Sequence, residues 1–192
     1  MTRNFILLGP PGSGKGTQAR RLAQELGLIY FGTGDLMRQE AEKGTPIGLE
    51  FKKVWDRGKG ELISEDLVQK FVGEKLMGFD LAKGMVFDGY PRTSGQAKRL
   101  EGILKEKKID NLQVINLVVA PKLLIQRMWK RKTDENRLED QPEVMAKRIN
   151  VYQKETAPLI AYYQKKGNLI NIDGEPSIEE VWEEIEEKIS KF

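Results

Sequence analysis

The strongest restriction on the fold comes from a glycine-rich segment, GPPGSGK, at residues 9–15. It directly follows a short apolar run at residues 5–8 and directly precedes a helical pattern that extends to Leu26. Glycines allow a loop to wrap closely around an anion, the N–H groups of the loop can converge on phosphate oxygens, and the following helix adds its partial positive charge. The G-x-x-x-x-G-K spacing between a strand and a helix therefore predicts a phosphate-binding loop, with Lys15 beside the β and γ phosphates of a nucleotide.

A magnesium site is predicted beside this loop. Gly16 occupies the position at which Ser or Thr usually contacts the metal, and Thr17 follows one residue later. Asp88 ends an apolar run at residues 85–87, where an acid that holds magnesium is expected. Because Mg²⁺ keeps several waters, we expect it to be held through water and phosphates near Asp88 and Thr17. Two simpler alternatives are that Asp88 only caps a loop and that residues 9–15 form an ordinary turn with a surface lysine.

Strand and helix patterns alternate along the chain, which predicts an α/β fold. Short apolar runs at residues 5–8, 28–31, 85–87, 114–119 and 169–172 indicate five buried strands, and helical patterns separate them. This alternation predicts a doubly wound parallel sheet of the P-loop NTPase type. A helical insert at 35–76 and a charged loop at 130–140 interrupt the alternation, so the core is predicted to comprise residues 1–34, 77–129 and 141–192.

Capping residues predict where several helices begin and end. Ser64 and Ser177 each precede a helical pattern, and Glu180 completes a capping-box spacing with Ser177. The same spacing occurs in Thr93 and Gln96. Pro158 is expected to kink or break the long helix that begins at 142.

Composition excludes several kinds of chemistry. The 192 residues contain no cysteine and no histidine, so disulfides, thiolate nucleophiles, zinc ribbons and a histidine general base are all absent. A net charge of +3 does not favour a nucleic-acid-binding protein. The first apolar run is too short for a signal peptide or a membrane span, so we expect a cytoplasmic protein without a membrane partner. The oligomeric state is left open, with a monomer as the default.

Four arginines are candidates for binding phosphate groups. Arg127 and Arg131 are spaced i, i+4 and share a helix face, and Arg137 and Arg148 follow on the other side of the charged loop. Planar guanidinium groups suit phosphoryl oxygens. The alternative for each is a solvated basic surface. Trp55, Trp129 and Trp182 are predicted to be packing residues without a role in the site.

Several motifs together resemble the adenylate kinase family over essentially the whole chain. They are GPPGSGKGT at 9–17, TGD at 33–35, DGYPR at 88–92, RLED at 137–140, TAPLI at 156–160 and DG at 173–174. The resemblance implies a reversible, Mg²⁺-dependent transfer of the γ-phosphate of ATP to AMP, which gives two ADP. It also implies that residues 35–76 bind AMP and that residues 130–140 form a short lid over ATP, of the kind without a zinc site.

The resemblance assigns roles residue by residue. The catalytic residues it implies are Lys15, Asp88, Arg92, Arg127, Arg131, Arg137 and Arg148. The ATP-binding residues are Gly12, Ser13, Gly14, Lys15, Gly16, Thr17, Arg127, Arg131, Gly174, Glu175 and Pro176. The AMP-binding residues are Thr33, Gly34, Arg38, Leu62, Ile63, Val68, Gly89, Arg92, Gln96, Arg137 and Arg148. The segment 58–61 is longer than the matching turn in many bacterial relatives, which leaves the backbone contacts of the AMP pocket open.

Three alternatives remain at this stage. Gln96 is predicted either to complete a capping box with Thr93 or to bind the AMP base. A UMP/CMP kinase shares the loop, the short lid and the segment at 88–92, but Thr33 and Gln96 favour AMP. A non-enzymatic nucleotide-binding regulator is the other functional alternative, whereas a GTPase is disfavoured because the chain has neither D-x-x-G nor N-K-x-D.

Overall fold

A computed structural model describes residues 3–56, 63–109, 111–135 and 142–191, and for 131–135 and 142–143 it describes the backbone alone. The predictions for Leu62, Arg137 and the segment 58–61 lie outside the described residues, as does the part of the predicted lid from 136 to 140. The same applies to the side chain of Arg131.

The five predicted strands form one parallel sheet. They are β1 (Asn4–Leu8), β2 (Ile29–Gly32), β3 (Met85–Asp88), β4 (Leu112–Val118) and β5 (Leu169–Asp173). Their order in the sheet is β2-β3-β1-β4-β5, and every neighbouring pair is parallel. The predicted fold class is confirmed. Because all strands run the same way, their carboxyl ends meet at one edge, where α/β proteins bind ligands.

Helices cover both faces of this sheet. They are α1 (Lys15–Glu25), α2 (Thr33–Glu42), α3 (Pro46–Asp56), α4 (Glu65–Met77), α5 (Ser94–Glu106), α6 (Pro121–Glu135), α7 (Pro142–Val151), α8 (Pro158–Lys165) and α9 (Ile178–Ile189). A short 3₁₀ turn at Leu81–Lys83 precedes β3, and a π-helical turn at Tyr152–Thr156 joins α7 to α8.

The core lies in two layers, one on each side of the sheet. Successive side chains of β1 alternate between these layers: Phe5 and Leu7 pack with α1 and α9, whereas Ile6 and Leu8 pack with the helices on the opposite face. This period of two is the strand geometry expected for a sheet that is covered twice. All four side chains are at most 2% exposed, so β1 lies at the centre of the core and holds the following loop rigidly.

Most of the predicted helix signals are confirmed. Ser177 Oγ accepts a hydrogen bond from the Glu180 N–H, and the Glu180 carboxylate accepts one from the Ser177 N–H, which completes the capping box. The helix before Pro158 widens into the π-helical turn, in which the Ala157 N–H donates to the Tyr152 carbonyl. Ser64 lies at the N-cap of α4 without a side-chain capping bond.

Two predicted boundaries are wrong. Residues 130–135 continue α6 and are not part of a loop, because Lys, Arg and Glu are good helix formers and charge alone does not end a helix. The first helix of the predicted insert begins at Thr33, two residues before position 35, and Gly32 takes its N-cap position. Both differences lengthen the helices that border the site.

Candidate active site

The loop between β1 and α1 has the backbone geometry that its glycines predict. Gly12 and Gly14 have φ values of +84° and +91°, which side chains rarely tolerate. A Cβ at Gly12 would also lie 2.7 Å from the Leu124 carbonyl oxygen on α6. Gly14 forms the N-cap of α1, so the loop ends at the positive end of that helix. The loop is therefore held open by conformations that only glycine adopts readily.

The basic side chain of the loop lies over it. Lys15 Nζ donates a hydrogen bond of 3.0 Å to the Pro10 carbonyl oxygen, which places the ammonium group across the mouth of the loop. Ser13 is 2% exposed, and its hydroxyl has no hydrogen-bond partner in the structure. Because buried hydroxyls normally have a partner, an oxygen-rich ligand in the loop would fit this site.

A cavity of about 560 Å³ opens above the loop. It brings together most of the predicted ATP-binding residues. Its lining includes Gly12, Ser13, Gly14, Lys15, Gly16, Thr17, Arg127, Gly174 and Pro176, together with Asp88, Arg92 and Arg148. Glu175 is not in this lining; its carboxylate accepts a hydrogen bond from the Ala120 N–H at 2.8 Å.

Arg127 differs from its predicted arrangement. Its guanidinium donates to the carbonyl oxygens of Gly174 and Glu175 at 2.6 and 2.9 Å, so here it supports the loop after β5. It still borders the larger cavity, beside the phosphate-binding loop. Direct contact between Arg127 and a transferring phosphate remains a prediction.

The surroundings of Asp88 fit a hydrated magnesium ion. Asp88 lies at the carboxyl end of β3 in the larger cavity, and within the described residues it has no ion-pair partner. A Cβ at Gly16 would lie 3.2 Å from Asp88 Oδ2, so a side chain at this position would crowd the carboxylate. Within the described residues no three carboxylates cluster as a metal site. A single carboxylate beside phosphates is the environment in which Mg²⁺ keeps most of its waters.

A second cavity, of about 220 Å³, lies on the other side of the phosphate-binding loop. It brings together every predicted AMP-binding residue whose side chain is described. These are Thr33, Gly34, Arg38, Ile63, Val68, Gly89, Arg92, Gln96 and Arg148.

Two polar residues of this smaller cavity have informative hydrogen bonding. Thr33 is 2% exposed, and its hydroxyl has no hydrogen-bond partner among the residues that the structure describes. Gln96 Oε1 accepts a hydrogen bond of 2.7 Å from the Arg92 N–H. Thr93 Oγ1 accepts a hydrogen bond from the Gln96 N–H, but the Gln96 side chain accepts none from the Thr93 N–H. The predicted capping box is therefore wrong. Binding of a base by Gln96 stays a prediction.

Arg38 is held by a carboxylate at the border of both cavities. Its guanidinium forms an ion pair with Asp35 one turn earlier in α2. Burial raises the pKa of Asp35, but Arg20 and Arg38 outweigh it and hold the pKa below its usual value. Asp35 therefore stays ionised and keeps Arg38 oriented.

The two cavities share one wall, and that wall is cationic. Lys15, Arg38, Arg92 and Arg148 line both cavities. They come from four separate elements: α1, α2, the segment after β3, and α7. Ammonium and guanidinium groups gathered in this way suit the oxygens of phosphate groups. The arrangement can therefore hold two phosphate-bearing molecules end to end, with their phosphates facing.

Sequence reasoning missed part of the smaller cavity. Trp55, predicted to have only a packing role, lines it, together with Met37, Val54, Val151 and Tyr152. Their helical spacing is the same as that of core residues, so no local pattern distinguished them. Trp182 is 5% exposed and packs as predicted, whereas Trp129 on α6 is 46% exposed.

Comparison with known proteins points to one family. The family model described as "Adenylate kinase" matches residues 7–168. A protein named adenylate kinase from Mesorhizobium japonicum is 44% identical over 188 residues, which cover 95% of this chain and 94% of that protein. Adenylate kinases from Xanthomonas euvesicatoria and Archaeoglobus fulgidus are 41% and 40% identical, and the matches cover 97% and 98% of this chain and 99% of each relative.

Proposed function

The chain belongs to the adenylate kinase family, and from that membership we propose how its residues divide the work of the reaction. The protein is a phosphotransferase with adenylate kinase function, which transfers a phosphoryl group between ATP and AMP. The alternative of a UMP/CMP kinase is not favoured, since the similar relatives across the chain's length are named adenylate kinases.

The observation that carries the assignment of sites is the shared wall of Lys15, Arg38, Arg92 and Arg148. We assign ATP to the larger cavity, because its floor is the glycine-rich loop at the start of α1. We assign AMP to the smaller one, where apolar walls and the unpartnered Thr33 hydroxyl surround space for a base. The phosphates of the two nucleotides then meet at the cations.

The chemistry needs positioning more than proton transfer. A phosphate monoester has a second pKa of about 6, so the AMP phosphate is already an anionic nucleophile at neutral pH. One of its oxygens bonds to the γ-phosphorus of ATP as the bond from that phosphorus to the β–γ bridging oxygen breaks, which gives two ADP. The facing phosphates are held by Arg38, Arg92 and Arg148. Lys15 stabilises the negative charge that develops on the leaving oxygen.

We propose that Mg²⁺ is held near Asp88 and Thr17 through water and through the phosphates of ATP. This is supported by the Asp88 carboxylate, which lines the larger cavity and has no ion-pair partner within the described residues, and by its glycine neighbour. When bound, magnesium neutralises phosphate charge and favours transfer. Asp88 would orient the water shell of the ion, and the N–H groups of the loop would hold phosphate oxygens.

We also propose that the insert at 35–76 and the lid at 130–140 close over the substrates. Closure would exclude the water that otherwise hydrolyses ATP. Arg131 and Arg137 are assigned to the closed state by their position along the chain. Leu62 is assigned to the wall of the AMP pocket beside Ile63 and Val68, which line the smaller cavity.

The enzyme is proposed to act as a monomer in the cytoplasm, without nucleic acid or membrane partners. Both cavities are lined by one chain, so a single copy can hold both substrates. None of the helices in the described ranges has the length and apolar character needed to cross a bilayer. Light scattering during size-exclusion chromatography tests the monomer, and a dimer would contradict it.

A coupled assay over several acceptors tests the function. ADP formation should depend on both ATP and AMP, and kcat/KM should be at least about a hundredfold higher for AMP than for CMP or UMP, because a hydrogen-bonding pocket discriminates strongly. Comparable kcat/KM for CMP would contradict the assignment of AMP. ATP binding without AMP-dependent ADP formation would instead indicate a nucleotide-binding regulator.

A further inference from the structure

A tyrosine hydroxyl lies between two carboxylates at the carboxyl edge of the sheet. Tyr30 is on β2, next to β3, and its Oη lies 3.0 Å from Asp35 Oδ2 and 3.1 Å from Asp88 Oδ2. Asp88 is the proposed magnesium acid, and Asp35 orients Arg38. One side chain thus contacts both carboxylates at the phosphate end of the two cavities.

The chain leaves room for this side chain in a specific way. A Cβ at Gly32 would lie 2.4 Å from Tyr30 Oη and 2.5 Å from its Cζ. The ring therefore lies directly against the Cα of Gly32, and any side chain there would displace it. Gly32 has an ordinary extended φ of −86°, so its backbone conformation does not require glycine. The position of the Tyr30 ring does, because it leaves no space for a Cβ.

The charges around the Tyr30 hydroxyl decide which carboxylate accepts its hydrogen bond. Arg20 Nη2 lies 2.5 Å from Asp35 Oδ2, and Arg38 pairs with the other oxygen of Asp35. Asp88 has no ion-pair partner among the described residues. A hydroxyl donates one hydrogen bond at a time, and the carboxylate that is less neutralised is the stronger acceptor. The O–H is within hydrogen-bond distance of both carboxylates, and the balance of charge favours its donation to Asp88.

The hydroxyl also remains a donor at neutral pH. Burial raises the pKa of Tyr30 well above its ordinary value, and the nearby charges of Asp88 and Asp35 raise it further. Arg20, whose guanidinium carbon is 5.1 Å from the ring centroid, holds the ring from the solvent side.

We propose that Tyr30 is a positioning residue for the metal-binding acid. Its hydroxyl holds Asp88 Oδ2, so that the carboxylate keeps one orientation and presents Oδ1 to the water shell of the metal. The inference rests on the proposed magnesium role of Asp88. It assigns to Tyr30 no contact with either nucleotide.

The test measures metal binding separately from catalysis. The full chain is saturated with diadenosine pentaphosphate, which spans both nucleotide sites, and Mn²⁺ is titrated while free Mn²⁺ is followed by electron paramagnetic resonance. Affinity for the dinucleotide alone is measured by calorimetry in EDTA. The variants are Tyr30→Phe, which removes only the hydroxyl, and Gly32→Ala, which displaces the ring.

Tyr162→Phe is the matched control. It also removes a tyrosine hydroxyl that donates to a carboxylate, at 2.8 Å from Glu101 Oε2, but its partner is on α5, outside both cavities. Tyr30→Phe should weaken Mn²⁺ binding about tenfold, as expected for a hydrogen bond to a charged group, while affinity in EDTA stays within about twofold. Gly32→Ala should weaken Mn²⁺ binding in the same direction, and Tyr162→Phe should leave it unchanged.

The outcomes separate the inference from the function on which it rests. Wild-type Mn²⁺ affinity in Tyr30→Phe, or an equal loss in Tyr162→Phe, would overturn the role of Tyr30 and leave the proposed function intact. Equal losses of affinity with Mn²⁺ and in EDTA would also overturn it, because they indicate a general structural effect. A wild-type chain that fails to bind the dinucleotide would overturn the proposed function and this inference together.

Discussion

Arg127 Nη1 donates a hydrogen bond of 2.6 Å to the carbonyl oxygen of Gly174. A second bond from the same guanidinium to the Glu175 carbonyl joins α6 to the loop that follows β5. The planar group spans two adjacent carbonyls, which a single ammonium cannot reproduce. An arginine from another element therefore helps to hold the loop at 174–176 at the larger cavity.

Arg127→Lys should raise the KM for ATP by about tenfold, with a smaller change in kcat, because the loop loses charge-assisted hydrogen bonds. Steady-state kinetics with varied ATP at saturating AMP measures this effect. Arg99→Lys, on the exposed face of α5, is the control and should leave the KM for ATP and kcat unchanged. A loss confined to kcat would instead favour direct contact between Arg127 and the transferring phosphate.

Lys15→Met should lower kcat by at least about a hundredfold, because it removes a positive charge that stabilises the leaving oxygen in the transition state. The apolar replacement keeps most of the side-chain length, so packing beside the loop is retained. Single-turnover rates at saturating ATP and AMP measure the chemical step. Lys105→Met, exposed on α5, should retain full activity. A kcat near the wild-type value would contradict the role assigned to Lys15.

Thr33→Val should raise the KM for AMP by about fivefold to tenfold, as expected for one lost hydrogen bond, without loss of stability. Within the described part of the chain the buried Thr33 hydroxyl has no hydrogen-bond partner, so its replacement by a methyl group breaks no described bond in the free protein. Kinetics with varied AMP and thermal unfolding without ligand give the two readouts.

Thr45→Val is the matched control for this prediction. The Thr45 hydroxyl bonds to the Glu40 carboxylate at 2.9 Å and accepts the Gly48 N–H at 3.1 Å. Its removal should lower stability and leave the KM for AMP unchanged. If Thr33→Val destabilised the free protein as Thr45→Val does, its hydroxyl would have a structural role and not a ligand-binding one.

Glycine substitutions should have opposite effects according to position. Gly73→Ala and Gly102→Ala lie inside helices with open space around the added Cβ, so each should raise the free energy of unfolding by about 0.5–1 kcal/mol. Gly12→Ala forces alanine into the left-handed backbone conformation and places its Cβ 2.7 Å from a backbone oxygen. It should therefore destabilise the protein and weaken ATP binding. Urea unfolding and ATP titration measure these effects. A neutral Gly12→Ala would show that the loop is not held as described.

Removal of divalent metal with EDTA should abolish ADP formation, and added Mg²⁺ should restore it. The physical reason is that Mg²⁺ acts as a Lewis acid on phosphate oxygens, which the arginines and lysines that line the larger cavity cannot do through hydrogen bonds and charge alone. The coupled assay is repeated over a range of free Mg²⁺. Activity that persists in excess EDTA would remove magnesium from the mechanism.

Much of the fold follows from local signals in the sequence. The alternation of apolar runs and helical patterns predicted all five strands, and Gly9 to Lys15 predicted the loop, because glycine conformations and strand periodicity act over a few residues. The end of α6 could not be predicted in the same way. Its charged residues favour a solvated loop and a solvated helix equally, and nothing local distinguishes the two.

The sequence alone determined the phosphate-binding loop, the parallel sheet and the family, since these depend on short motifs and on spacing along the chain. Only the tertiary structure decided that four cations from separate elements share one wall, that Trp55 borders a cavity, and that Tyr30 contacts both Asp35 and Asp88. The physical reason is distance along the chain. Tyr30 and Asp88 lie 58 positions apart, and their contact arises from the pairing of two strands at the edge of the sheet, which no local pattern in the sequence indicates.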